Sequence, residues 1–199
     1  TLTIDTDKDK FDKKSVHERF DHQLKKSNLN TKNTLKPNFS WVTAEIKKIK
    51  DKFSLEKYIL LFPFCSPHLT LKKWPYYNDL IKLITDKFGD EYKIVIAPGP
   101  NEINESININ ALALLDDGKA LDISQLTSII KESSFVVAND TGPAHIAAHV
   151  GAKGLTLFGK HTTAYKVNIE RENFKAIQVE DLNNLSAEKV FERLVKSLS

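Results

Sequence analysis

The sequence predicts an α/β domain built on a parallel sheet, and three observations carry that reading. Short continuous apolar runs, "YILLF" at 58–62, "KIVIA" at 93–97, "FVVA" at 135–138, "LTLF" at 155–158 and "AIQV" at 176–179, suit strands buried on both faces. Stretches with apolar residues at helical spacing separate these runs. The two alternate along the chain, which implies βαβ units with right-handed crossovers. Together they describe a Rossmann-like α/β domain over residues 55–199, with no internal repeat.

Taken in order, residues 1–14, "TLTIDTDKDKFDKK", alternate charge signs densely and are expected to form a solvated edge or a frayed terminus. Val16, Phe20 and Leu24 recur every four residues and predict a short amphipathic helix over 15–24. Residues 25–38 are polar and read as a linker. Val42, Ile46, Ile49 and Phe53 predict a second short helix over 42–53. Beyond residue 57, helices are predicted over 75–88, 102–115, 124–133, 143–150 and 186–198. "KALDI" at 119–123 reads as one more short strand.

A chain of 199 residues with 41% hydrophobic and 28% charged residues is long enough, and ordinary enough, for one well-buried domain plus extra segments. The net charge of +3 comes without a Lys/Arg run interleaved with aromatics, which argues against nucleic acid as a partner. It suits an anionic substrate and allows contact with an anionic membrane face. The single cysteine, Cys65, excludes an intramolecular disulfide and fits a reducing compartment. No apolar run approaches the ~20 residues of a membrane span, and the polar N-terminus does not read as a signal peptide. A cytoplasmic location is expected. The chain contains no methionine, so it is expected to be a fragment or a processed form.

Ligands of such sheets sit beyond the carboxyl ends of the strands. The least ordinary segment lies there: "NDTGPAHIAAHVGA", 139–152, passes from a buried strand through a polar turn directly into a helix. Thr141 suits the helix N-cap and Pro143 the first turn, where no amide donor is needed. Gly142 lets backbone approach a ligand with no Cβ in the way. Free amides and the helix dipole then make a site for phosphate, which His145 can also reach. A merely well-capped helix is the plainer alternative, but Asp140 at a strand end needs a partner of its own.

Other motifs each have a plainer reading beside the functional one. His145 and His149 lie four apart, yet Ile146 stands where a zinc helix needs its glutamate, and only His161 offers a third ligand; no metal is expected. "GLTLFGKH", 154–161, nearly matches a phosphate-binding loop, but His161 replaces the hydroxyl and the intervening residues read as a strand. After the first strand, "PFCSPHLTLKKWPYY" carries Lys72, which lies across the strand ends from Thr141 and can neutralise a phosphate. Trp74 reads as core and Cys65 as a loop filler. Glu102 opens a predicted helix, where a carboxylate suits the helix dipole and ribose hydroxyls equally.

These pieces together resemble glycosyltransferase family 9, the ADP-heptose:lipopolysaccharide heptosyltransferases, over about residues 58–198. The resemblance rests on Pro63 and Ser66, "KKWP" at 72–75, Gly99 with Glu102, "DTGPAHIA" at 140–147 and "LFG" at 157–159. Phe64 departs from it, standing where the family often has glycine. The resemblance implies the C-terminal, donor-binding half of a GT-B fold, with residues 1–54 as the tail of an N-terminal domain and the linker. It implies that Lys72 balances the donor diphosphate, with Ser66, Thr141, Gly142, Pro143 and His145 around the same group. Glu102 would hold the ribose, Leu121 or Ile123 would border the base, and Asp140 would orient the loop or touch the sugar. Lys72 and Asp140 are the catalytic candidates.

The implied enzyme inverts the anomeric carbon while moving heptose, or a related sugar, from ADP to a lipopolysaccharide-type acceptor. It needs no cofactor or metal. The acceptor site and the base belong to the N-terminal domain, so this chain alone is expected to transfer no sugar. It is expected in the cytoplasm or peripherally on the cytoplasmic face of a bacterial inner membrane. The alternative is a non-catalytic nucleotide-sugar-binding or interaction module of the same fold. A sugar-nucleotide epimerase would need different acidic residues at the strand ends.

Overall fold

All five apolar runs form strands of one six-stranded parallel sheet in the computed structural model, which describes residues 13–198. The expectation for 1–14 thus lies, but for its last two residues, outside the described residues. The strands are β1 (Tyr58–Phe62), β2 (Lys93–Ile96), β3 (Leu112–Ala113), β4 (Phe135–Asn139), β5 (Gly154–Phe158) and β6 (Phe174–Gln178), in the order β3-β2-β1-β4-β5-β6. The order reverses between β1 and β4, and a crevice opens beyond the carboxyl ends of strands at such a reversal.

The three central strands are buried along their full length. Because side chains alternate across a strand, each strand feeds two cores. Ile59, Leu61, Phe135 and Val137 point to one face, where Leu80 and Ile84 of α3 (Tyr77–Phe88) and Val190 and Leu194 of α7 (Ala187–Leu198) cover them. Leu60, Phe62, Val136 and Ala138 point to the other, against α4 (Ile123–Glu132) and α5 (Gly142–Val150). Ile49 of α2 (Lys47–Phe53) joins this second core. α1 (Val16–Lys26) begins with a capping box, in which Ser15 and Glu18 exchange hydrogen bonds. It reaches the short α6 (Ala164–Val167) through Glu18, which accepts from the Tyr165 hydroxyl (3.3 Å).

Three predicted elements are corrected. No α-helix spans 102–115: the chain makes a turn, a 3₁₀ segment at Glu105–Asn108 and then β3. Asn78 of α3 pins this stretch, accepting from the Asn110 amide (2.9 Å) and donating to the Asn108 carbonyl (3.0 Å). Nor is 119–123 a strand. Asp117 and Gly118 both take positive φ in a tight turn closed between Asp116 and Lys119, and Asp122 then caps α4 with a capping box. Ile123 is therefore the first residue of a helix. The predicted helix over 42–53 begins only at Lys47. Among the described residues, no helix is long and apolar enough to cross a membrane.

Candidate functional site

Asn139, the last residue of β4, is fully buried and ties the crevice together. Its Nδ2 donates to the Pro63 carbonyl (2.9 Å), just past β1. Its Oδ1 accepts from the Trp74 amide (3.2 Å) and lies 3.2 Å from the Tyr77 hydroxyl, which is also 3.1 Å from the Phe62 carbonyl. Burial pushes the Tyr77 phenol far up, so it remains a donor. Trp74 is core, as expected, its Nε1 donating to the Leu185 carbonyl (2.7 Å). One side chain thus fixes both ends of the 63–74 loop, and with them the position of Lys72.

Asp140 follows, 4% exposed. Lys72 Nζ donates to its Oδ2 at 2.7 Å and lies 3.3 Å from its carbonyl. His161 Nε2 lies 3.1 Å from the same Oδ2. His145 Nε2 lies 3.7 Å from Oδ1, an ion-pair distance rather than a hydrogen bond. Burial raises the Asp140 pKa, but the nearby His145, Lys72 and His161 together outweigh it and hold the carboxyl well below the usual range. Three cationic or potentially cationic groups therefore converge on one buried carboxylate, with Lys72 and His145 still partly open to solvent.

Thr141 occupies the N-cap of α5, but its hydroxyl turns back to the Asn139 carbonyl (3.3 Å) and caps no helix amide, unlike the expectation. The Thr141 carbonyl accepts from the Ala144 and His145 amides. Gly142, at the first helical position, has no helix partner for its amide. A Cβ added to Gly142 would meet nothing within 4 Å, and its φ is not positive. The fold itself gives no reason for glycine there.

The remaining expected residues lie at the same edge of the sheet with less shared geometry. Glu102 follows β2; its carboxylate accepts from the Gly99 amide (2.8 Å) and closes the turn whose backbone bond runs from Glu102 N to Gly99 O (2.9 Å). Leu121 is partly buried against the core under α4. Ser66 is exposed, and its carbonyl accepts from the Leu69 amide (2.9 Å). Cys65 bonds the Leu69 carbonyl, and burial raises its thiol pKa, as fits a filler rather than a nucleophile. His149 is buried away from any metal set: Arg171 donates to its Nδ1 (3.3 Å). Among the described residues no group of three or more His, Cys, Asp or Glu is placed to hold a metal ion.

His161 and Asn139 are site residues that sequence reasoning missed. For His161 the available signal was position: it lies three residues past the end of β5, the strand paired with β4, with Asn139 opposite Leu157. Gly159 lies beside the Lys72 loop, where a Cβ would stand 3.4 Å from the Leu71 carbonyl, an ordinary contact distance. A cavity of about 310 Å³ adjoins this point, lined among others by Thr70, Leu71, Lys73, Gly159 and Lys160.

A six-stranded parallel sheet in this order with helices on both faces defines a Rossmann-like α/β fold of the kind found in GT-B glycosyltransferases. The glycosyltransferase family 9 (heptosyltransferase) model matches residues 4–193, and the chain belongs to that family. Solved structures agree on the fold. The Escherichia coli ADP-heptose LPS heptosyltransferase II shares 20% identity with a TM-score of 0.62, over 76% of this chain and 50% of that one. E. coli heptosyltransferase WaaC with ADP shares 18% with a TM-score of 0.60, over 79% and 50%. A family 9 glycosyltransferase from Veillonella parvula DSM 2008 shares 15% with a TM-score of 0.72, over 100% and 62%. The chain thus spans about half the length of the two heptosyltransferases. A comparison with curated proteins finds no match.

Proposed function

We propose that this chain is the donor-binding half of an inverting glycosyltransferase that takes heptose, or a related sugar, from ADP during lipopolysaccharide core assembly. The observation that carries the reading is the convergence of Lys72 and His145 on Asp140 beside the open first turn of α5. As the bond between sugar and diphosphate breaks, negative charge builds on the leaving group. A preorganised ammonium, an imidazole and free helix amides stabilise that charge without reorganising. On this reading Lys72, His145 and the Thr141–Gly142–Pro143 turn hold the diphosphate, with Ser66 at its outer edge and no metal required. Glu102 holds the ribose through the carboxylate oxygen not bonded to Gly99, and Leu121 borders the base. Asp140 aims Lys72 and His145. The acceptor and its base come from an additional domain, with work at the cytoplasmic face of the inner membrane.

Calorimetric titration with ADP, then UDP and GDP, tests the reading. Selective ADP binding is expected. Lys72→Ala and His145→Ala should each weaken it about 10- to 100-fold, the usual loss for a charged hydrogen bond. A well-folded chain that binds none of the three nucleotides, or binds them equally well without Lys72, would overturn it.

A further inference from the structure

The Asp140 cluster holds a nitrogen with no task. His161 is 10% exposed at its side chain and stacked on Phe158 with ring centroids 5.9 Å apart. A carboxylate only accepts, so the His161 Nε2 that faces Asp140 carries a hydrogen. Nδ1, which in the neutral tautomer bears the lone pair, is buried with no hydrogen-bond partner. The oxygen that His161 touches, Asp140 Oδ2, is the one Lys72 holds.

We infer that His161 is a positioning residue that takes a proton from solvent when a nucleoside diphosphate draws Lys72 away from Asp140. This rests on the reading of Lys72 as the diphosphate's lysine. Once Lys72 turns to the phosphates, Asp140 is left as a buried carboxylate without its counter-charge, a strongly destabilising state. His145 is the more open of the two imidazoles, and in that reading the diphosphate engages it. His161 is already seated on the vacated oxygen, and one proton on Nδ1 turns it into the missing cation. Nδ1 and the Leu71 carbonyl both lie on the side of Gly159 where a side chain would stand, next to the cavity there. The other charged groups here, Lys73, Lys160, Glu180 and Asp181, line the cavity at Gly159 and balance in sign. They supply no net charge to replace Lys72.

The test measures ADP binding by calorimetry at pH 8 in buffers of different ionisation enthalpy. At that pH the terminal phosphate, with a second pKa of about 6, is already ionised. Wild type is expected to take up protons on binding, and His161→Gln to bind ADP while taking up measurably fewer. A second arm needs no nucleotide. In Lys72→Met the ratio of protonated to neutral His161, read from its Cε1–H resonance near neutral pH, should rise roughly tenfold over wild type. A merely structural role for His161 would move neither reading. Equal proton uptake with and without His161, or a His161 resonance unchanged by loss of Lys72, overturns the inference. If ADP fails to bind while the Lys72→Met shift appears, the donor reading falls and the His161 response to loss of Lys72 stands.

Discussion

Gly142 and Asp140 are separated by one residue yet are explained by different forces. Asp140 is held by the fold, through Lys72, His161 and His145. Gly142 is not: its φ is ordinary and the space beside its Cα is empty. Gly142→Ala should therefore leave thermal stability unchanged or raise it by up to about 1 kcal/mol, since alanine is the better helix residue. It should still weaken ADP binding several-fold by placing a methyl where backbone meets phosphate. Calorimetry and a melting curve on one variant separate the two effects; a stability loss with unchanged affinity would show that glycine serves the fold. At this scale Lys72, Asp140 and His145 were legible because each follows a strand that ends at the same edge. His161 also follows a predicted strand, but the sequence offered it only as a possible metal ligand, because only the pairing of β5 with β4 carries its loop over Asp140. Asn139 was not legible, since a polar residue ending an apolar run reads as a turn until its partners on the 63–74 loop are in place.

At the scale of elements, apolar runs announced the strands well because the central sheet is buried on both faces, and burial decides residue type there. The edge was less legible. Residues 101–110 hold four asparagines, which form helices poorly, and Asn78 fixes their backbone from another element, which no local pattern reveals. Gly154 shows how closely the elements fit. A Cβ there would lie 2.5 Å from the Val136 carbonyl of β4 and 2.8 Å from the Phe174 ring of β6. The carbonyl belongs to a central strand and cannot step aside. Gly154→Ala should cost about 2–3 kcal/mol, the range for overpacking a tight core, and appear as a lower urea midpoint with unchanged slope. A midpoint within error of wild type would mean that β5 and β4 can part at no cost. In the sequence this glycine heads a near match to a phosphate loop that the strand reading of 155–158 already sets aside; its role is to let β5 lie against β4.

Across the whole molecule, the N-terminal segment is joined to the sheet domain through neutral histidines, and that makes stability depend on pH. Asn168 donates to His17 Nδ1 (2.7 Å), and Arg171 donates to His149 Nδ1 (3.3 Å). Both nitrogens accept, so both rings are neutral. The His149 ring stands edge-on to those of His17 and Phe39, and its carbonyl accepts from the Phe39 amide (3.1 Å). Burial first, then Arg171, His17 and His145, push the His149 pKa down to about 3, and burial with Arg171 lowers that of His17. A folded pKa below the unfolded one gives stability that is complete above the unfolded value, about 6.5, and that drains as pH falls toward the folded value. Asp140 is also depressed, but from a carboxylate's ordinary value, so its share is lost only below about pH 4. The two windows overlap only between about pH 4 and 3, so a loss seen above pH 4.5 does not come from Asp140. Each unmatched proton costs about 1.4 kcal/mol per pH unit, so His149 alone predicts a loss of roughly 2 kcal/mol between pH 6.5 and 4.5. Urea titrations across that range should show the midpoint falling, and His149→Gln, which can still accept from Arg171, should flatten most of the fall. An equally steep decline in the variant would place the titrating group elsewhere and remove His149 as the joint between the N-terminal segment and the sheet domain.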